Sequence, residues 1–319
     1  MKKTILTLAL IAVTVFSVLE YQWGINGVYS KVKNFTASVF FVDSVTGDSL
    51  RDVYANANKK GGRKIKILVV PGHDQRYFGT EFNGLKEVEM TIALGEELHR
   101  LLAKDKKIEA YITQTKDGYV PELNDYFENK KDEVLAFISE QKEQMKFYAS
   151  TGEIKVLPAS SNKSAPSLAA YRLYAINKWA NSKGMDIIIH IHFNDYEGRK
   201  KGHPGAYSGF SIYTPEKQYS NAKGSRALAD AIHARLGESF SKSNIGKERS
   251  GIVEDQELIA VGANNTLDGA GILIEYGYIY EPSFADPVVR KAVLDTMALK
   301  TYEGIMDFFK EVNRNERIF

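Results

Sequence analysis

Four side chains stand where strands end or a helix begins, and their types can hold a divalent metal and move a proton: His73, Glu87, His192 and Glu275. His73 follows the apolar run IKILVV in the segment VVPGHD. Pro71 and Gly72 break that strand, so the imidazole emerges at its carboxyl edge. Glu87 opens a helical pattern, where a carboxylate suits the positive end of the helix dipole. His192 closes the run IIIHIH and Glu275 closes GILIE, both at strand ends of the same kind. Ligand sites of open α/β sheets gather at that edge. Singly, a strand-end histidine is ordinarily a hydrogen-bonded structural group, and a first-turn glutamate an ordinary helix residue. Glu275 demands more, because a carboxylate closing an apolar run must be accounted for. The combination carries the reading.

Such a set matches the needs of metal-assisted hydrolysis. Catalytic zinc takes three protein ligands and keeps a further position for water. Two imidazoles and one carboxylate leave a net positive site, in which bound water ionises near pH ~7 and an amide carbonyl can be polarised. A separate carboxylate must take the proton from that water and deliver it to the departing amine. Glu275 would fill that role. The chain has no cysteine, which excludes thiolate zinc sites, disulfides and a cysteine nucleophile. With six histidines in 319 residues, their placement is informative.

The elements that must position these groups alternate. Ile65 to Val70 and Met185 to His192 read as strands buried on both faces. Ala110 to Thr113, Phe210 to Tyr213 and Gly271 to Glu275 add further strands. Helical spacing covers Glu87 to Ala103, Leu168 to Asn181, Ser225 to Leu236 and a last helix from Asp286-Pro287, an N-cap with proline at the first position, to about Val312. The fold class expected is α/β, a mixed and largely parallel twisted sheet with helices on both faces. The domain is expected over 65–313, interrupted by a helical insertion at about 118–167. Within it Leu123, Phe127, Val134, Ile138 and Met145 form one apolar stripe, the mark of an ordinary amphipathic surface helix.

Lys2 and Lys3 precede an apolar run from Thr4 to Leu19, as in an export signal. No small-residue cleavage site follows, and Tyr21 and Trp23 sit where interfacial aromatics anchor a span. An N-terminal membrane helix over 1–23 is therefore expected, as a retained signal-anchor ahead of a cleaved signal peptide, with the rest of the chain outside the cytoplasm. Residues 24–64 are expected to be a juxtamembrane segment and linker, with a strand in Ser38 to Val42 and a short helix in Leu50 to Ala57. A formal net charge of +2 and short lysine stretches (Lys59 to Lys66, Lys104 to Lys107) give no reason to expect a nucleic-acid partner.

From about Ile65 to Val312 the chain resembles the zinc-dependent N-acetylmuramoyl-L-alanine amidases of the amidase-3 type. VVPGHD is similar to the strand and first metal histidine, NGLKEVEMTIALGEEL to the segment with the metal glutamate, and YITQTKDG to a strand and turn with Lys116 in place of an arginine. YRLYAINKWANSKGMDIIIHIHFND matches the helix, strand and second metal histidine, including Arg172 and Asn177. GFSIYT, SRALADAI and SGIVEDQELIAV look like the later strand, helix and glycine turn, and GILIEYGYI like the strand with the catalytic glutamate. The resemblance implies zinc held by His73, Glu87 and His192, catalysis by Glu275, and hydrolysis of the amide between N-acetylmuramic acid and L-alanine in peptidoglycan. It also raises an autoinhibitory role for the insertion, with an activator protein acting on it.

Departures bear on the site. Asp74 and Gln75 replace the glycines usual after the first histidine, and Val88 replaces a lysine after the metal glutamate. His190 stands where serine is common and shares a strand face with His192, as a substrate contact, a group behind the ligands or an alternative ligand. His192 is preferred as ligand because Asn194 follows it. Two other functions stay open: a zinc hydrolase of the same fold acting on another amide, and a non-catalytic, membrane-tethered wall-binding protein. Retention of all four key residues argues against the last.

Overall fold

A computed structural model describes residues 45–158, 167–196, 198–262 and 266–311. The expected N-terminal membrane helix and the strand at Ser38 to Val42 lie outside these residues. Among the described residues, no helix is long and apolar enough to cross a membrane.

The chain enters through α1 (Gly47–Asn56), capped by Thr46, whose hydroxyl accepts the Ser49 N–H while Ser49 reaches back to the Thr46 N–H. Val45 and Leu50 are buried in the same core as the first strand. The stretch from Val45 to Asn56 thus packs on the same core, and α1 overlaps the short helix expected in Leu50 to Ala57. α1 buries Leu50 and packs Val53 and Tyr54 against the same core, Tyr54 stacking on Phe309 at 4.2 Å.

Then follow β1 (Ile65–Pro71), a short hairpin of β2 (Glu81–Phe82) and β3 (Leu85–Lys86), α2 (Glu87–Leu102) and β4 (Ile108–Ile112). A second hairpin, β5 (Gln114–Thr115) and β6 (Gly118–Tyr119), leads to α3 (Pro121–Asn129), α4 (Lys131–Thr151) and α5 (Ser167–Lys183). The rest is β7 (Ile187–Asn194), β8 (Ser211–Pro215), α6 (Ala222–Leu236), β9 (Ile252–Asp255), β10 (Ala270–Tyr278) and α7 (Pro287–Lys310). Asp286 caps α7 by accepting the N–H groups of Val288 and Val289.

Six strands form one sheet in the order β4-β1-β7-β10-β8-β9. All neighbours run parallel except β10 and β8, so the sheet is mixed and largely parallel, as expected. One face packs Ile67, Val69, Ile189 and Ile272 against α2, α6 and α7. The other packs Leu68, Val70 and Ile188 against Ile176 and Trp179 of α5. Period-two alternation sends each strand's side chains to both cores, which is why these runs are continuously apolar.

The insertion is two helices, not one. Lys130 leaves helical geometry (φ −113°, ψ 21°) and separates α3 from α4. Leu123 and Val134 from the expected stripe are fully buried, against the β1/β7 face and α5 respectively. The insertion is thus an outer layer over α5.

Candidate metal centre

β1 and β7 are adjacent, in register from Ile67↔Ile187 to Pro71↔Ile191, so the chain leaves β1 toward His73 beside His192. α2 begins at Glu87, directly after the β2–β3 hairpin. His73 Nε2 lies 3.0 Å from Glu87 Oε2, and His192 Nδ1 lies 3.1 Å from Glu87 Oε1. One ligand atom from each of the three falls within 4.8 Å of the others. The imidazoles meet edge to face with ring centroids 4.9 Å apart. Sequence-distant groups expected as ligands therefore converge.

Glu87 is almost wholly buried. Burial alone would push its pKa up; the charge of His73 and hydrogen bonds with both histidines outweigh this and hold it well below the usual carboxylate range. Its Oε1 accepts the Phe193 N–H (3.0 Å) and its Oε2 the Thr80 N–H (3.0 Å). An ionised carboxylate here offers oxygens to a cation without reorganisation.

The loop geometry suits the same purpose. His73 adopts φ +66°, a left-handed conformation unusual for a non-glycine residue. Gln114 on β5 donates to the carbonyls of Pro71 and His73 and holds that bend. Two glycines leave room for the ligands. A Cβ on Gly72 would come 2.4 Å from His192 Cε1, and one on Gly79 (φ +77°) 2.3 Å from Glu87 Oε2.

The remaining expected residues divide by role. Glu275 on β10 pairs in register with His192 on β7, which brings it beside the triad. Asp74 is no ligand in this arrangement; its Oδ1 accepts the N–H groups of Arg76 and Tyr77, and its Oδ2 pairs with Arg172 on α5. It shapes the loop after His73. Asn194 accepts the Asp195 N–H on its own Oδ1 (2.9 Å) and donates to Glu248 Oε1 (3.4 Å). His190 sits one step below His192 on the same face, between Val70 and Leu273, outside the metal-competent group. It is fully buried, neither ring nitrogen has a hydrogen-bond partner among the described residues, and burial, then the nearby His192, pushes its pKa down to about 3.

Several groups at the centre were not foreseen. Thr80 donates its hydroxyl to Asp195 Oδ2 (2.6 Å), and Arg199 clasps the same carboxylate through Nε (2.7 Å) and Nη2 (2.8 Å). Arg199 also donates to the Glu81 carbonyl (3.1 Å), so it ties the loop after β7 to the hairpin before Glu87. Buried Glu248 accepts the Tyr213 hydroxyl (2.7 Å). Asp195 and Arg199 follow β7 outside any helix, so their four-residue spacing carried no helical pairing signal, and nothing in the sequence linked either to Thr80.

The chemistry of the donor set fits a divalent metal: two imidazoles and one ionised carboxylate, with small residues where a side chain would intrude. The comparisons with known proteins agree in kind. The family model described as N-acetylmuramoyl-L-alanine amidase matches residues 67–307. No curated protein matches by sequence. Among solved structures, the CwlD amidase from Clostridioides difficile, in complex with the GerS lipoprotein, superposes with a TM-score of 0.51 at 14% identity, covering 77% of this chain and 99% of that one. An N-acetylmuramoyl-L-alanine amidase from Clostridium difficile 630 gives 0.48 at 17% identity over 78% of this chain and 98% of that one. Ami1 from Mycobacterium smegmatis gives 0.49 at 14% over 78% and 98%. At 14% identity, the likeness to the CwlD amidase is one of fold.

Proposed function

The chain belongs to the N-acetylmuramoyl-L-alanine amidase family, and from that membership we propose a zinc-dependent hydrolysis of the amide between N-acetylmuramic acid and L-alanine, with Glu275 as general acid and base. The observation that carries the reading is the convergence of His73, Glu87 and His192 next to Glu275 at one sheet edge. His73, Glu87 and His192 would hold the ion. Bound there, zinc supplies Lewis acidity toward water and the amide carbonyl.

The chain's own groups do the rest. Glu275 takes a proton from the attacking water, and its protonated carboxyl then donates that proton to the nitrogen of the departing alanine. Neighbouring strands hold it beside His192, so the proton-carrying carboxylate and a metal-ligand imidazole would share one fixed frame. The Phe193 and Thr80 N–H groups keep Glu87 in place while charge develops.

Peptidoglycan as substrate implies action outside the cytoplasm. We take residues 1–23 as the membrane anchor or export signal, and 118–167 as the segment on which a partner protein would act.

The test is a mass measurement of free peptide stems released from defined peptidoglycan by the full chain, with zinc content measured on the same sample. Release that is lost in Glu275→Ala, with zinc retained, is the expected result. Zinc without release points to another amide as substrate, and absence of both to a wall-binding protein.

A further inference from the structure

Among the described residues only two aromatic side chains are exposed, Phe78 at 36% and Tyr196 at 40%. Both stand on the two loops that border the metal centre. Phe78 lies two residues before Thr80 and Tyr196 directly after Asp195, and the Thr80–Asp195 hydrogen bond joins the two loops. The Phe78 carbonyl also accepts the Val88 N–H, next to the ligand Glu87. Singly exposed rings are ordinary on a protein surface; exposure confined to one functional edge is not.

Both rings are held. A Cβ on Gly198 would come 2.7 Å from Tyr196 Cε1, so the backbone there lies against the ring. Tyr207 packs on Tyr196 edge to face at 4.8 Å, and a tilted contact of 6.1 Å continues to Tyr278 on β10. Lys86 keeps its ammonium 5.0 Å over the Phe78 ring. Two charged pairs nearby are closed on themselves, Arg199 with Asp195 and Arg172 with Asp74. The lip therefore offers substrate two fixed rings, with the one ammonium of Lys86 resting on Phe78 and the Tyr196 ring backed by Tyr207.

We propose that Phe78 and Tyr196 form a stacking platform for a sugar ring of the glycan strand, which presents the muramoyl amide to the centre. This rests on the amidase reading above. A pyranose carries C–H groups on a face, and these lie favourably on the negative face of an aromatic ring while the hydroxyls at its rim stay in water. Peptide stems carry ionised groups and no flat C–H face, so ring surface itself gives them little to bind. Among the parts of peptidoglycan, the lip fits the glycan.

Peptide-free glycan strands are the probe, with binding to the full, zinc-loaded chain read by co-sedimentation or calorimetry. Wild type should bind them, Tyr196→Ala and Phe78→Ala should each bind about 5–10-fold more weakly, and the double variant weaker still. Tyr196→Phe, which keeps the ring, should bind as wild type does, whereas Tyr196→Leu, which keeps apolar bulk without a π face, should resemble the alanine variant. Full zinc content in each variant reports an intact fold. Equal binding by wild type and the double variant overturns the platform, as does recovery in Tyr196→Leu or selective retention of free peptide stems instead of glycan. Stem release from peptidoglycan is scored separately on wild type, so cleavage without glycan binding removes the platform alone, and absent cleavage removes the amidase reading.

Discussion

Buried Glu87 meets two imidazoles and two backbone N–H groups, one of each kind on either carboxylate oxygen. Gly79 guards that geometry, since any Cβ there meets Glu87 Oε2 and must also accept φ +77°. Gly79→Ala should cost about 1 kcal/mol or more in stability and weaken zinc binding; unchanged metal affinity by chelator competition would show that the loop yields freely. His190 poses the opposite case, a buried imidazole with no hydrogen-bond partner for either nitrogen among the described residues. An unsatisfied buried polar group costs about 1–3 kcal/mol, and replacing it with an apolar side chain removes that cost. His190→Leu should therefore raise apo-protein stability by about 1 kcal/mol in urea unfolding and still bind one zinc. Loss of the metal in that variant would make His190 the ligand.

Strands β1 and β7 announced themselves in IKILVV and IIIHIH because both faces are covered, and the strand-end positions of His73, His192 and Glu275 followed from those runs. The supports around them were not legible, because they join segments far apart in sequence by single polar contacts. Thr80 and Asp195 are such a pair: the two-residue strands β2 and β3 leave no periodic trace, yet they carry Thr80 to the loop after β7. The same holds for the break at Lys130, where a continuous apolar stripe concealed two helices. Outer partners of metal ligands tune affinity by about 10–100-fold. Thr80→Val, which keeps the backbone N–H to Glu87 and removes only the hydroxyl donor to Asp195, should weaken zinc binding by less than that range, and Arg199→Ala by a smaller factor still. Since both act on Asp195, the double variant should lose less than the product of the single effects. Multiplicative losses in chelator titrations would show that the two residues act separately and that no chain runs from Arg199 to Glu87.

At the scale of the molecule, the segment most easily taken for a removable lid is part of the packing. Leu123 of α3 is fully buried with Leu68 and Val70 of β1, Ile188 of β7 and Trp179 of α5, while Val134 of α4 packs with Tyr174 and Ala175. Resemblance alone favours deleting residues 121–161 to release an autoinhibited site; the packing favours the reverse. Removing α3 and α4 strips one cover from the core that supports β1 and β7, the strands leading to His73 and His192. Leu123→Ala should by itself cost about 2–5 kcal/mol, as for other large-to-small changes in a sealed core. The deletion should abolish the cooperative unfolding transition and zinc binding together, because the histidines depend on the register of those strands. Urea unfolding followed by near-ultraviolet circular dichroism, with zinc content measured in parallel, checks both variants. A deletion variant that unfolds cooperatively and releases peptide stems faster than the full chain would restore autoinhibition as the role of this segment and reduce its packing to a secondary feature.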